Sequence, residues 1–404
     1  MKKFALISLG LPPSQSGQSM VLYHLLKKIP PENYCLITQR NFYLYHYLEQ
    51  CSIRLAARHY FLPPDYQIVR QLVKAASRLG CQPFLFLTLK IRVHQIKRIL
   101  MKERAQVVIA CTGDLFDPPA AFIAGNELRI PVILYAFDYY SHQWTDTTTR
   151  SFAEEFERNI LHGAAQIIVP NECMAKEYAG RYGIRPVVIH NPFDLDEYEK
   201  NAQGQPDTTV LHPGIPGEVK IVYTGAVYDA HYTAFHNLIA AIPKTGIPGL
   251  TLHIYTPQSP GELQAHGISG PVKIHKPRPN SEMPGIQRAA DILFLPLAFN
   301  SPYPDIIRTS APGKIGEYLA AKKPVLVHAP ENSFISWLFT KNRCGEVASE
   351  DDPEKLAESI VRLVKDDGYR QELSRNAYLL AKNNFDAGSA RKKLLALING
   401  EPVS

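Results

Sequence analysis

The sequence predicts an α/β protein built from two doubly wound domains, and three observations carry that prediction. A strand, a glycine-containing loop and a helix open the chain over residues 3–29, the same order restarts at Lys220, and a polar segment rich in Pro and Gly separates the two. With 404 residues and 45% hydrophobic content, the chain is long enough for two or three domains with full cores. The boundaries that follow are 1–200 for a first Rossmann-like domain, 201–218 for a linker, 219–385 for a second Rossmann-like domain and 386–404 for a last helix.

Lys3 to Leu9 reads as the first strand. Pro12 to Ser19 reads as a loop holding Gly17-Gln18, and the helix after it buries Val21, Leu22, Leu25, Leu26 and Ile29. Met1-Lys2-Lys3 and the apolar run behind them have the outline of a signal peptide. The run ends in Pro12-Pro13 without a small-residue cleavage site, so the strand reading is preferred. No stretch approaches the ~20 apolar residues of a membrane span. The expectation is a cytoplasmic protein, or one held peripherally at the inner face of the membrane. Cys35, Cys51, Cys81, Cys111, Cys173 and Cys344 are scattered, with no Cys-x-x-Cys pair and no neighbouring His cluster. Reduced thiols are expected, with neither a disulfide framework nor a bound metal.

The net charge of +6 hides an asymmetry, because residues 1–105 hold sixteen Lys and Arg against four acids, which leaves −6 for the remainder. The first quarter therefore expects an anionic neighbour. Residues 40–104 interleave aromatic with basic side chains, first over Asn41 to Leu48 and then over Phe84 to Val93, which runs into a basic amphipathic helix ending near Arg104. One reading is an anionic membrane surface that carries a lipid-linked acceptor. The other is a buried helix with a solvated basic side. No motif for binding nucleic acid accompanies the charge.

Gln106 to Cys111 and Pro131 to Asp138 read as strands around a helix near Ala120 to Glu127. Ligands of open α/β sheets gather at the carboxyl ends of strands, which directs attention to Asp114, Asp138 and His142. Ala165 to Val169, a helix to Tyr182 and Pro186 to Ile189 complete the first domain. In the second, Lys220 to Gly225 is a strand and glycine turn, followed by a helix over Tyr232 to Ala241. Strands follow at Thr251 to Tyr255, Val272 to His275 and Ile292 to Pro296, with a helix over Ser281 to Asp291. Asn300 to Arg308 reads as a polar loop. Helices are expected over Pro353 to Val364, Tyr369 to Asn383 and Ala387 to Ile398.

The richest stretch is Thr309 to Val327. Thr309 or Ser310 can cap a helix, Pro312 suits its first turn, and Ile315 and Leu319 form an i,i+4 apolar pair. Lys-Lys-Pro at 322–324 ends the helix, and Pro324 to Val327 continues as a buried strand. Gly313 and Lys314 at the helix start suit a phosphate. Glu317 lies roughly 5 Å further along the axis, where a carboxylate can accept hydrogen bonds from a ribose diol. The plain alternative is a capped helix with a solvent-facing Lys/Glu pair.

Pro312-Gly313-Lys314, Glu317-Tyr318-Leu319-Ala320-Ala321 and Lys323-Pro324-Val325 together resemble the donor-site helix of the family 4 retaining glycosyltransferases. The similar subgroup carries Pro-Ser-Lys…Glu-Tyr-Leu-Ala-Ala-Gly-Lys-Pro. The resemblance implies the GT-B fold, two Rossmann-like domains facing across a cleft, with the last helix crossing back to the first domain. It assigns Glu317 to the donor's ribose and Lys314, with the helix start, to its diphosphate. It makes Gly17, Gln18, Gly225, Arg278, Thr309, Ser310 and Gly313 donor-side positions and Asp138 an acceptor-orienting carboxylate beside Lys314 in catalysis. The chain departs from the family at Gln18 (a second glycine), Phe137 (histidine), Ala226 (arginine) and Thr309 (an acid).

The activity so implied is retaining transfer of a hexose-type sugar from a nucleotide diphosphate sugar to a hydroxyl of a glycan, lipid-linked or small-molecule acceptor. No cofactor or metal is implied. Two other readings stay open: an epimerase of nucleotide sugars on the same fold, and a non-catalytic relative that binds a nucleotide sugar or a partner.

Overall fold

A computed structural model describes residues 1–12, 14, 16–40, 53–80, 82–203 and 217–402. The chain forms two compact units, Met1–Pro192 with Ala387–Ser404, and Phe193–Asp386. In the first unit β1 (Phe4–Ile7), β2 (Tyr34–Gln39), β3 (Arg58–Leu62), β4 (Val107–Cys111), β5 (Val132–Tyr135), β6 (Gln166–Val169) and β7 (Val187–Val188) make a parallel sheet in the order β3-β2-β1-β4-β5-β6-β7. The order reverses between β1 and β4, as in a doubly wound fold.

Phe4 lies beside Tyr34 on one neighbour and Val107 on the other. Because side chains alternate along a strand, Phe4 and Leu6 go to one face with Leu22, Leu25 and Leu394. Ala5 and Ile7 go to the other with Leu89, Ile96 and Ala120. Both faces are covered, which is why these strands read as apolar runs. The Ala387–Asn399 helix packs on the Gly17–Leu26 helix, where Arg391 Nε donates to the Leu25 carbonyl at 2.9 Å and Nη2 to that of His24 at 2.7 Å. A cation at a helix carboxyl end is electrostatically favoured.

The second unit repeats the plan in six parallel strands, β8 (Val219–Thr224), β9 (Leu250–Tyr255), β10 (Val272–His275), β11 (Ile292–Pro296), β12 (Val325–His328) and β13 (Glu346–Ala348), ordered β10-β9-β8-β11-β12-β13. Ile221, Leu252, Ile254, Phe294 and Leu326 meet Phe235, Leu238, Leu356 and Ile360 in its core.

Two expectations need correction. The boundary expected at residue 200 falls at 192/193, because the Leu195–Gln203 helix packs on the Met283–Arg288 helix of the second unit and Phe193 N donates to Phe385 O at 3.0 Å. Most of the expected linker lies outside the described residues, as does the Asn41 to Leu48 segment. β3, β13 and the helices Tyr66–Leu79 and Phe334–Asn342 were not anticipated.

The basic helix of the first unit buries an apolar face and leaves a basic side to solvent, the second of the two readings given for it. It spans Gln82–Glu103 and buries Leu85, Leu89, Val93, Ile96 and Leu100. Arg92 is buried with them, its Nε 3.8 Å from the Asp117 carboxyl, which burial and Asp114 push up to about 8 against the opposing pull of Arg92, so part of the positive charge lies inside the protein. Lys3 and Arg58 pair with Glu103, whose carboxyl is held at about 2 by hydrogen bonds from Lys3, Tyr60 and Arg58 against the opposing effect of burial. Cys35, Cys111 and Cys344 are buried thiols and Cys173 is half-buried, while Cys51 and Cys81 lie outside the described residues. No helix among the described residues is long and apolar enough to cross a membrane.

Candidate active site

The site in the second unit forms where β8 ends. Thr224, its last residue, donates its backbone N–H to the Tyr318 hydroxyl at 2.9 Å, and the Thr224 Oγ1 lies 3.3 Å from the same oxygen. Tyr318 belongs to a six-residue helix, Ile315–Ala320, that also buries Ile315 and Leu319. Beyond Thr224 the backbone at Gly225 takes φ +125°, open to glycine but strained for other residues. A Cβ there would come within 3.0 Å of the Lys314 Nζ, so glycine also lets the lysine approach the backbone.

Lys314 is half-buried, makes no ion pair among the described residues, and lays its ammonium 3.8 Å from the centre of the Tyr223 ring. The aromatic face attracts the cation, though less than a carboxylate would. Burial pushes the lysine down to about 7, with Glu317 pulling in the other direction.

Glu317 is held through a relay. The Tyr198 hydroxyl donates to Gln287 Oε1 at 2.7 Å, which turns the wholly buried Gln287 so that its Nε2 donates to Glu317 Oε2 at 2.9 Å. Glu317 Oε1 takes no bond among the described residues. Burial raises the Glu317 carboxyl above its ordinary range, while Gln287 and Lys314 oppose the rise. A lysine without an anion and an oriented carboxylate three residues on can bind a ligand that is anionic at one end and carries a diol at the other. Among the described residues no three His, Cys, Asp or Glu side chains gather as a metal site.

Comparison with known proteins gives this geometry a context. Residues 47–197 match the model described as Glycosyltransferase Family 4, and residues 218–366 match the one described as Glycosyl transferases group 1. Among solved structures, HepE of Anabaena in complex with UDP is 17% identical, with a TM-score of 0.68 over 99% of this chain and 100% of that one. The chain is a GT-B glycosyltransferase. A sucrose-phosphate synthase from Thermosynechococcus elongatus is 15% identical, with a TM-score of 0.70 over 99% of each chain. A glycosyltransferase from Rickettsia africae is 15% identical, with a TM-score of 0.70 over 99% of this chain and 98% of that one. No curated protein matches significantly by sequence.

The glycosyltransferase differs locally from the sequence-based expectation. The helix expected to bind the donor begins at Ile315, not directly after a Thr309 or Ser310 cap. Thr309 is the last residue of a separate helix, Pro304–Thr309, inside the stretch expected to be a loop, and its hydroxyl donates to the Asp305 carbonyl. Ser310 is extended at φ −61°, ψ 126° as that helix ends. Pro304 starts the helix inside the expected loop, and Pro312 disfavours helical geometry at the residue before it, so the expected helix starts later than its Thr309 or Ser310 cap implied. Gly313 is exposed in the turn between them. Arg278 pairs with Glu282 at 2.8 Å.

In the first unit, Gln18 Nε2 donates to Ser8 Oγ and to the Thr112 carbonyl, both at 3.0 Å, tying together the loops after β1 and β4. Gly17 opens its helix with open space where a Cβ would stand; the tight approach is instead at Gly113, φ +120°, beside Gln18. Asp138 is exposed after β5. Asp114, expected at a ligand-facing position, is buried, accepting from the backbone of Phe116 and Asp117 and from Gln39. His142 stacks at a tilt on Tyr139. Sequence reading missed Tyr198, Gln287 and His231; nothing local marks Gln287, whose burial comes from helices almost ninety residues apart.

The lysine gives a test of sign. Its folded value of about 7 lies below the ordinary 10.5, so the charged form opposes folding below 10.5, and that opposition is complete by pH 7. Lys314→Met should stabilise the nucleotide-free protein, by more at pH 6.5 than at pH 9.5. Urea midpoints that shift equally at the two pH values would contradict this.

Proposed function

We propose that this glycosyltransferase transfers a hexose from a UDP-sugar to an acceptor hydroxyl with retention at the anomeric carbon. The observation that carries the reading is the pairing of Lys314, poised over Gly225 without an anion, with Glu317, whose open carboxylate oxygen is aimed by Gln287. The bond from the anomeric carbon to the diphosphate breaks with its electron pair leaving on the diphosphate, a bond to the acceptor oxygen forms, and the acceptor's proton passes to the released diphosphate. Charge develops on the leaving diphosphate, where a positioned cation acts most strongly, so Lys314 is assigned to it. Glu317 binds the ribose hydroxyls. Gly225, Gly313 and Ser310 line the donor's approach, and Arg278 reaches it on leaving Glu282. On the first unit, the exposed Asp138 orients the acceptor, Gly17 leaves room above its helix, and Gln18 holds the loops in place. Uracil is the favoured base because HepE was solved with UDP, with UDP and glucose and with UDP-glucose. The reaction proceeds without a metal.

A membrane surface is the favoured location of the acceptor. On the Gln82–Glu103 helix, Leu87, Lys90, Ile91, His94, Arg98 and Met101 are all exposed, and at 3.6 residues per turn they share one face. Ile68 and Leu72 are exposed on the Tyr66–Leu79 helix. Apolar side chains among cations suit an interface of anionic lipid. The site then works at the cytoplasmic side, on a lipid-linked acceptor.

Two measurements test these assignments. Glu317→Ala should raise the Kd for UDP-glucose at least tenfold, and Lys314→Ala should lower kcat by a similar or larger factor with a smaller change in KM; wild-type kinetics in both would refute the roles. The protein should sediment with vesicles of anionic phospholipid, and Leu87→Glu with Ile91→Glu should abolish this. No binding to such vesicles at moderate salt would contradict the membrane assignment.

A further inference from the structure

We infer that His231 is a second cationic ligand of the donor's diphosphate, neutral in the free protein and protonated when the diphosphate is bound. The inference rests on the proposed nucleotide-sugar reading and extends it to the origin of the site's second positive charge.

His231 stands just before the Tyr232–Ala241 helix with its side chain buried. Its ring meets Tyr228 edge-on at 4.4 Å and Tyr223 edge-on at 5.9 Å between centroids. Tyr223 is the ring that carries the Lys314 ammonium, so two basic side chains converge on one tyrosine at the end of β8. Tyr223 is itself fixed, its hydroxyl donating to the Ala226 carbonyl at 2.7 Å.

Among the described residues the buried Nδ1 of His231 has no hydrogen-bond partner. Other buried histidines of this unit are satisfied: His253 Nδ1 lies 3.0 Å from His275 Nε2, and His328 is bonded to Ala348 and Asn237. A buried polar atom left unpaired is unfavourable unless something else meets it. The diphosphate is a suitable acceptor, since an imidazolium donates from both nitrogens.

The charge balance points the same way. The diphosphate of a nucleotide sugar carries two negative charges, whereas Lys314, at about 7, is only partly charged near neutrality. The loop from Gly225 to Ala230 contains no Lys or Arg. The groups facing the His231 ring are Tyr223 from β8, Tyr228 from its own loop and Lys314 from the turn before the Ile315–Ala320 helix, with Glu317 acting through Lys314. Burial and then the Lys314 charge hold the imidazole at about 3. A dianion beside both groups reverses the second effect and favours the charged ring, returning it toward the ordinary value of 6.5.

The test is the number of protons taken up on binding UDP-glucose, whose diphosphate diester is fully ionised at pH 5.5. Calorimetry in two buffers of different ionisation enthalpy measures it. At that pH Lys314 is already charged, so wild type should take up more protons per UDP-glucose than His231→Gln does, with an upper limit of about 0.9 set by a ring that regains its ordinary value of 6.5. His231→Asn is a second variant should the first fail to fold, and His236→Gln should match wild type. Equal uptake by wild type and a His231 variant that still binds would overturn this inference and leave the donor reading standing. Failure of the wild type to bind UDP-glucose at any pH would overturn both.

Discussion

The hydrogen bond from the Thr224 amide to the Tyr318 hydroxyl is the constraint on which the proposed donor site depends. It joins the end of β8 to a helix of only six residues, too short to be stable by itself in water. What positions that helix is burial of Ile315, Tyr318 and Leu319 on one side and this bond at its strand-facing end. The bond gives a buried backbone N–H its partner at the point where the strand ladder stops. It also brings Gly225 against the Lys314 ammonium, so conformation, close approach and charge placement follow from one contact.

The electrostatics of the site are unfavourable by themselves. Lys314 loses hydration with only the attraction of Glu317, and no ion pair among the described residues, to offset it; Glu317 is raised by burial, and His231 is held neutral. A cluster of side chains shifted away from their ordinary values is more characteristic of a binding site than of a structural ion pair. Elsewhere, charges that serve only the fold have partners: Glu103 collects Lys3 and Arg58, and Glu218 collects Lys273 and His253. The contrast is between groups satisfied within the fold and groups that the proposed donor would satisfy.

Much of the fold was legible because parallel strands covered on both faces read as apolar runs. Phe4 to Ile7, Val107 to Cys111, Val272 to His275 and Ile292 to Pro296 were located to within a residue or two. β3 was not, since Arg58 and His59 run directly into Tyr60 and Phe61 on a sheet edge, with neither an apolar run nor an alternating pattern. The Thr309 to Val327 stretch was legible as a short helix running into a buried strand, but the sequence does not show that the helix starts only at Ile315 or that a separate helix, Pro304–Thr309, precedes it. Nor does it show that Gln287 and Tyr198 set the glutamate's orientation, because that depends on a helix pair formed only in the fold. The basic helix mixes both readings, with Arg92 buried against Asp117 and Lys90, His94 and Arg98 on an exposed face.

The most direct test of the account is a crystal structure of the protein with UDP-glucose. The account predicts a diphosphate oxygen about 3 Å from Lys314 Nζ and the ribose hydroxyls donating to the Glu317 carboxylate. A nucleotide bound elsewhere, with Glu317 still bonded to Gln287 alone and Lys314 still resting on Tyr223 without a phosphate beside it, would contradict the account.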